Sequence, residues 1–283
     1  MNVLRTPVEM QQWSRLERDA GSSIGFVPTM GYLHPGHMAL VKQAHTSADV
    51  VVVSIFVNPK QFGPREDLAA YPRDLDGDLH LLESAGVEAL FLPDHADMYP
   101  EGFNTSIHVA GLTEGLCGAS RPGHFDGVAT VVLKLFNIVL PHVAVFGQKD
   151  YQQLRVIEQM VEDLNLEVRI ASHPIVREQD GLALSSRNAY LTESERSQAA
   201  IIPIAVGKAR DMVAAGKRDA RVVVEALRAM FHREAPQLRI DYIDMVSPAT
   251  LKPVHEMRGR VLLALAVHVG KARLIDNALI DVP

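Results

Sequence analysis

Residues 50–57 read Val-Val-Val-Val-Ser-Ile-Phe-Val. A β-branched run that is apolar at odd and even positions alike suits a strand buried on both faces, as at the centre of a parallel sheet covered by helices. The flanking pattern agrees. Thr6-Pro7-Val8-Glu9 has the form of a capping box and predicts a helix to about Ala20, closed by Gly21. Residues 24–27 are a short apolar run that predicts a strand stopping at Pro28. A helix through 38–41 then leads to the 50–57 strand. Predicted helices near 75–85, 128–140 and 151–164 alternate with predicted strands at 89–92, 143–146 and 167–171. Repeated strand–helix–strand units imply an α/β fold with a doubly wound, Rossmann-like parallel sheet. After about Val176 the rhythm changes. Helical stretches near 192–215 and 220–233 precede strand-like runs at 240–246 and 261–268, which predicts a smaller α+β domain. The expected division is therefore residues 1–176 and 177–283.

Several function classes are disfavoured. The formal net charge of −6 argues against a nucleic-acid coat or an anionic-membrane binder, although it permits a local basic pocket. Cys117 is the only cysteine, so neither an intrachain disulfide nor a cysteine-rich metal site can form, in keeping with a reducing cytoplasm. The first residues lack the apolar stretch of a signal peptide. The most apolar region, 128–146, is interrupted by Lys134, Asn137, Pro141 and His142 and reads as a buried helix and strand, not a membrane span of roughly 20 apolar residues. A soluble, cytoplasmic protein without nucleic-acid or membrane partners is expected.

The first chemical signal follows the first sheet strand. Met30-Gly31-Tyr32-Leu33-His34-Pro35-Gly36-His37 lies where open α/β sheets bind ligands, beyond the carboxyl end of a strand and at a helix start. Two glycines let a ligand approach the backbone. Free amides and the positive end of the helix favour phosphate, and two imidazoles could donate to its oxygens. The plainer reading is a surface turn with two unrelated histidines. A His-x-x-His metal site is a further rival, with Pro35 and Gly36 against the regular helix it needs and no third ligand nearby. The H-x-G-H arrangement resembles the signature of the nucleotidyltransferase superfamily that includes class I aminoacyl-tRNA synthetases.

Three more segments extend the resemblance: Phe56-Val57-Asn58-Pro59-Lys60-Gln61-Phe62-Gly63, Gly147-Gln148-Lys149-Asp150-Tyr151-Gln152-Gln153, and Gly181-Leu182-Ala183-Leu184-Ser185-Ser186-Arg187-Asn188. With the P-T-M-G-x-L-H-x-G-H segment, in this order, they resemble the pantothenate synthetase (pantoate–β-alanine ligase) family over most of the chain, most strongly across residues 26–191. The resemblance implies ATP-dependent adenylation of (R)-pantoate and then amide formation with β-alanine. It also implies Mg²⁺ with the nucleotide and a homodimer.

Residue roles follow from the same resemblance. His34 and His37 match phosphate-contacting histidines, and His37 is best described as a hydrogen-bond donor to the transition state. Residues 30–37 form the ATP-phosphate site. Lys149 would place a compact cation on a phosphate, with Asp150 accepting from a ribose hydroxyl and Gly147 beside it. Gln148 stands where glutamate is common, so only its backbone is assigned to the nucleotide. Gln61 and Gln153 match the residues that hold pantoate, while Asn58 turns the chain. Ser185, Ser186 and Arg187 match a second phosphate motif, suited to departing pyrophosphate. Leu184, where methionine is frequent, would pack on adenine, and the Val176 backbone would meet its edge. Each of these residue types alone is more often an ordinary loop residue. Within residues 67–78, Asp76 or Asp78 could hold Mg²⁺ through water, against the plainer reading of a solvated acidic loop. The glycine-rich stretch 111–123 reads as a mobile flap, and His124-Phe125-Asp126-Gly127-Val128 fits the family pattern with no assigned role. Two rival functions remain at this level: an adenylyltransferase acting on a phosphate with no amine step, and a nucleotide-binding regulator without catalysis.

Overall fold

The chain starts with a strand too short to carry a period, β1 (Asn2–Leu4), which the sequence pattern misses. Helix α1 (Pro7–Asp19) follows, and its capping box forms: Thr6 Oγ1 accepts the Glu9 amide and the Glu9 carboxylate accepts the Thr6 amide. Next come β2 (Ile24–Thr29), α2 (Pro35–His45), β3 (Val50–Ile55), α3 (Leu75–Ser84) and β4 (Ala89–Phe91). Two single-turn helices, α4 (His95–Met98) and α5 (Cys117–Ser120), precede α6 (His124–Val139), β5 (Val143–Gly147), α7 (Tyr151–Asp163) and β6 (Arg169–His173). The computed structural model describes residues 1–64 and 66–283.

These six strands make one parallel sheet in the order β1-β4-β3-β2-β5-β6. Val51, Val52 and Val53 of β3 are fully buried, as a strand covered on both faces requires. Each contributes on the order of 1.5–3 kcal/mol by leaving water. Strand β2 runs through Pro28 instead of ending before it, because its pairing with β5 stops at Phe26↔Ala144 and a missing N–H there breaks no rung. The chain winds outward from β2 through β3 and β4, then returns to β5 and β6 on the other side. The order therefore reverses between β2 and β5, and the segments leaving those two strands stand at the crevice where such sheets take ligands.

The remaining elements are α8 (Glu193–Ala199), α9 (Ile201–Ala214), α10 (Ala220–Glu234), β7 (Arg239–Val246), β8 (Gly259–Val269) and β9 (Ala272–Val282). Their strands form an antiparallel sheet in the order β7-β8-β9. The single helix expected over 192–215 is two helices. Pro203 lacks the N–H that would bond to Ala199, and the chain breaks at Ala200. Strand β9 has no counterpart among the expected elements. Its inward row is apolar at Ala272, Leu274, Ala278 and Ile280 but carries Asp276 in the middle, which disrupts the period.

The described residues divide into two compact units. Met1–Val109, Arg121–Gln148 and Gln153–Pro174 make the first; Ala110–Ser120, Lys149–Gln152 and Ile175–Pro283 make the second. Each has its own apolar core. Among the described residues, no helix is long and apolar enough to cross a membrane.

Candidate active site

In the first unit, the loop after β2 is set by Asp78. Gly31 and Tyr32 both adopt left-handed backbone, with φ of 80° and 51°. This turns two successive amides onto one carboxylate: Tyr32 N–H donates to Asp78 Oδ2 at 2.8 Å and Leu33 N–H to Oδ1 at 2.6 Å. A Cβ on Gly31 would lie 3.0 Å from both Asp78 Oδ2 and Ile55 Cγ2, so handedness and space both call for glycine. The Gly31 amide donates to Thr29 Oγ1 at 3.1 Å. The expectation of free amides therefore fails at Gly31, Tyr32 and Leu33, which already have protein acceptors.

Asp78 is also not a solvated acid. It is 3% exposed, whereas Asp76 lies in the open. Burial pushes its carboxyl above the ordinary value, against the downward pull of the two amides, and Asp74 adds to the rise. Because the folded value is the higher one, this group's contribution is fully present below the unfolded pKa and is lost as pH rises through the folded pKa. Asparagine at 78 would keep one acceptor and turn its NH₂ on the other amide. Asp78→Asn is expected to cost about 2 kcal/mol in urea unfolding and to raise the KM for ATP. Unchanged values of both would show that Asp78 does not hold the loop.

His34 is the N-cap of α2. Its Nδ1 accepts the Gly36 amide at 3.2 Å, and His37 Nδ1 accepts the His34 amide at 3.4 Å. The rings stack with centroids 4.0 Å apart and planes 28° from parallel. A backbone N–H can only donate, so each Nδ1 presents a lone pair and the neutral ring carries its proton on Nε2. Two Nε2–H donors are thus fixed at one helix start, a setting that favours phosphate oxygens. Among the described residues, no group of three or more His, Cys, Asp or Glu is arranged to hold a metal.

The same unit orients Gln61. Asn58, 1% exposed, accepts from the Tyr99 hydroxyl at 2.8 Å and the Lys60 amide at 3.3 Å. Its Nδ2 donates to Gly127 O at 3.1 Å and to Gln61 Oε1 at 3.0 Å. The Gln61 amide is turned accordingly, and its Nε2 lies 3.2 Å from Met30 Sδ. The Gln61 carbonyl accepts from Arg121 Nη2 at 3.1 Å and from His124 Nδ1 at 2.8 Å, and Arg121 is paired with Glu66. Gly127 explains part of the 124–128 motif. A Cβ there would come within 2.3 Å of Lys60 O, so only glycine lets α6 approach the 3₁₀ turn Pro59–Gln61. Gln153 is half-buried in the first turn of α7. Gln148 donates its side-chain amide to Ser172 Oγ at 3.1 Å, so that side chain is turned to β6.

The second unit holds the other expected residues. Lys149 and Asp150 sit in the 3₁₀ turn Gln148–Asp150, with Lys149 Nζ 4.0 Å from Asp150 Oδ2. Val176 O accepts the Leu184 amide at 3.0 Å, closing a hairpin whose turn contains Gly181 at φ 88°. Ser185 then caps the 3₁₀ helix Ser186–Tyr190: its Oγ accepts the Arg187 amide at 3.2 Å, which still leaves the hydroxyl proton to donate. Ser186 is 7% exposed.

Sequence reasoning missed Gln152. This buried glutamine donates to Leu112 O and Gly115 O at 2.8 and 3.0 Å and accepts the Cys117 amide at 3.0 Å. The glycine-rich stretch read as a flap is thus fastened at three backbone points. Asp78 and Gln152 share one cause for being overlooked: each acts on a segment about 35 or more residues away, a separation no local motif encodes.

Known proteins share this architecture and sequence. The family model described as pantoate-beta-alanine ligase matches residues 2–279. The chain is 53% identical over 286 residues to the pantothenate synthetase of Heliobacterium modesticaldum, with 100% of each chain covered. It superposes on the crystal structure of pantothenate synthetase from Thermus thermophilus with a TM-score of 0.92 and 45% identity, covering 98% of this chain and 99% of that one. Against pantoate-beta-alanine ligase from Francisella tularensis, crystallised with βγ ATP and β-alanine, the TM-score is 0.78 at 35% identity, with 99% and 97% covered.

Proposed function

The chain belongs to the pantoate–β-alanine ligase family, and from that premise we infer how its residues carry the reaction. It is an ATP-dependent, AMP-forming ligase that joins (R)-pantoate to β-alanine to give pantothenate. A pantoate carboxylate oxygen attacks the α-phosphorus of ATP, and the bond to pyrophosphate breaks. The amine of β-alanine then attacks the acyl carbon of the pantoyl adenylate, loses a proton, and expels AMP as the amide forms.

The observation that carries the residue assignment is the nested capping of His34 and His37. With both Nδ1 atoms engaged by amides, the neutral rings carry their protons on Nε2, the atom that would donate to phosphate oxygens, most strongly as charge grows at phosphorus. Residues 30–37 hold the phosphates, though Gly31, Tyr32 and Leu33 serve by shaping the loop and not by donating their amides. Lys149 supplies a cation, Asp150 accepts from ribose, and the backbones of Gly147 and Gln148 line the nucleotide. Val176 and Leu184 meet adenine, and Ser185, Ser186 and Arg187 take the departing pyrophosphate. Gln61, oriented by Asn58, and Gln153 hold pantoate through hydrogen bonds that add no charge beside an anion. Residues 1–176 would form the nucleotide- and pantoate-binding domain and 177–283 a lid domain.

Asp78 does not fit as a ligand for Mg²⁺, since both its oxygens are engaged by loop amides, and no group of three or more His, Cys, Asp or Glu among the described residues forms a cage. The ion would arrive on the nucleotide phosphates and neutralise their charge, with no protein ligand assigned. A cytoplasmic homodimer completes the proposal.

The test is ATP-to-AMP conversion with pantoate and β-alanine together and with each omitted. AMP is expected only when both are present, while pantoate alone supports ATP–pyrophosphate exchange. Product accumulating without the amine, with no AMP released, would point to the adenylyltransferase instead.

A further inference from the structure

Strand β9 carries two consecutive buried polar residues, Asp276 and Asn277, at 2% and 7% exposure. Neighbouring strand residues point to opposite faces, so each can grip a different segment. Asp276 binds Arg177 through both oxygens, Nη1 to Oδ2 at 2.7 Å and Nη2 to Oδ1 at 2.9 Å. Arg177 Nη1 also donates to Gly181 O at 2.9 Å, across the turn of the 176–184 hairpin. The hairpin is fixed further along: Arg177 bridges Ala183, and Asn188 Nδ2 donates to Ala183 O at 3.1 Å. Asn277 Nδ2 donates to Lys149 O at 2.8 Å, and the Asn277 backbone amide donates to Asp276 Oδ1 at 2.8 Å.

A carboxylate buried among aliphatic residues, even when paired with an arginine as Asp276 is with the half-buried Arg177, is rarely a gain in stability over an apolar side chain of the same size. Here Asp276 sits in a row otherwise filled by Leu274, Ala278 and Ile280, where an aliphatic residue would pack against the same core. What the polar pair adds is geometry. One rung of β9 grips the turn that carries Lys149 and, through Arg177, the hairpin that leads into Ser185-Ser186-Arg187.

We propose that Asp276 and Asn277 are positioning residues for adenylation, holding Lys149 and the 176–187 segment in one frame. This rests on the assignment of both segments to ATP. The two segments are separate in sequence and share β9 as their common anchor, so the register of that strand sets where cation and hydroxyls stand on the nucleotide. Gln61, one of the two glutamines assigned to pantoate, lies in the first unit and is oriented by Asn58, not by β9.

The experiment is a double-mutant cycle on the full chain, read by pantoate-dependent ATP–pyrophosphate exchange. Asn277→Leu keeps the volume and removes the donor. It is expected to lower exchange by roughly 10- to 100-fold, the scale of a misplaced group, to raise the KM for ATP, and to leave the KM for pantoate within about twofold. In the Lys149→Ala background the same substitution should cost less than about threefold, because the group it positions is gone. The same full cost in both backgrounds, or no cost in either, overturns the inference while the site assignment stands. Lys149→Ala with undiminished exchange removes the assignment and the inference together. If Asn277→Leu does not fold, Arg177→Lys retains a cation on Asp276 but loses the fork to Gly181. It should raise the KM for ATP with the KM for pantoate unchanged, and equal changes in both constants would count against the proposal.

Discussion

Lys149→Ala is expected to slow pantoate-dependent ATP–pyrophosphate exchange by about a thousandfold while the protein stays folded. A loss of that size is what the proposed role implies, the removal of a preorganised charge from the transferring phosphate. The fold should survive because the side chain contributes little to it. Lys149 is 21% exposed, and its ion pair with Asp150 spans 4.0 Å, a distance at which partly solvated pairs contribute about 0–1 kcal/mol. The melting temperature should therefore stay close to that of the parent protein. Lys149→Arg should recover only part of the loss, since a planar fork does not reproduce a compact ammonium. Exchange within about tenfold of the parent rate for the alanine variant would remove Lys149 from the chemistry.

His37 should rank next, and here two substitutions separate two roles. On its proposed role, His37→Ala would remove a donor from the developing charge and is expected to cost on the order of 100- to 1000-fold in exchange. It also removes the acceptor for the His34 amide, at about 1 kcal/mol of stability, the scale of a lost helix cap. Glutamine carries an N–H near the position of imidazole Nε2 but cannot act as an acid. If His37 works as a hydrogen-bond donor, His37→Gln should lose only about tenfold. A glutamine variant as slow as the alanine variant, in an otherwise intact fold, would instead assign proton transfer to His37.

The parts of this structure that sequence reveals are those whose physics is local. The 50–57 run reads as a central strand because its apolar residues fall on both faces, and β3 is buried from Val51 to Ile55 as that pattern demands. The capping boxes and the Pro-Gly interruption between His34 and His37 likewise act within four residues. Strands β1 and β9 escape for opposite reasons. Three residues cannot show a period, and eleven residues lose theirs to Asp276 at an inward position. The second failure is informative, because the residue that spoils the pattern is the one that grips Arg177. At the candidate site, the sequence offers the motif residues as a set but not the side chains that support them. Asp78 lies 45 residues from the amide it holds, Asn58 accepts from Tyr99 41 residues away, and Asn277 reaches Lys149 across 128. Folding alone brings these together, and no spacing rule anticipates them.

The Asp78 clamp bears on how the cost of order is distributed. A phosphate loop that wraps its ligand with free amides must lose backbone freedom each time it binds, on the order of 1–2 kcal/mol per residue fixed. In this protein Tyr32 and Leu33 surrender that freedom once, as the chain folds, to an acid on a neighbouring helix. On the proposed assignment of this loop to ATP, nucleotide would meet a contour already set, leaving its binding energy for the reacting phosphorus instead of for arranging main chain.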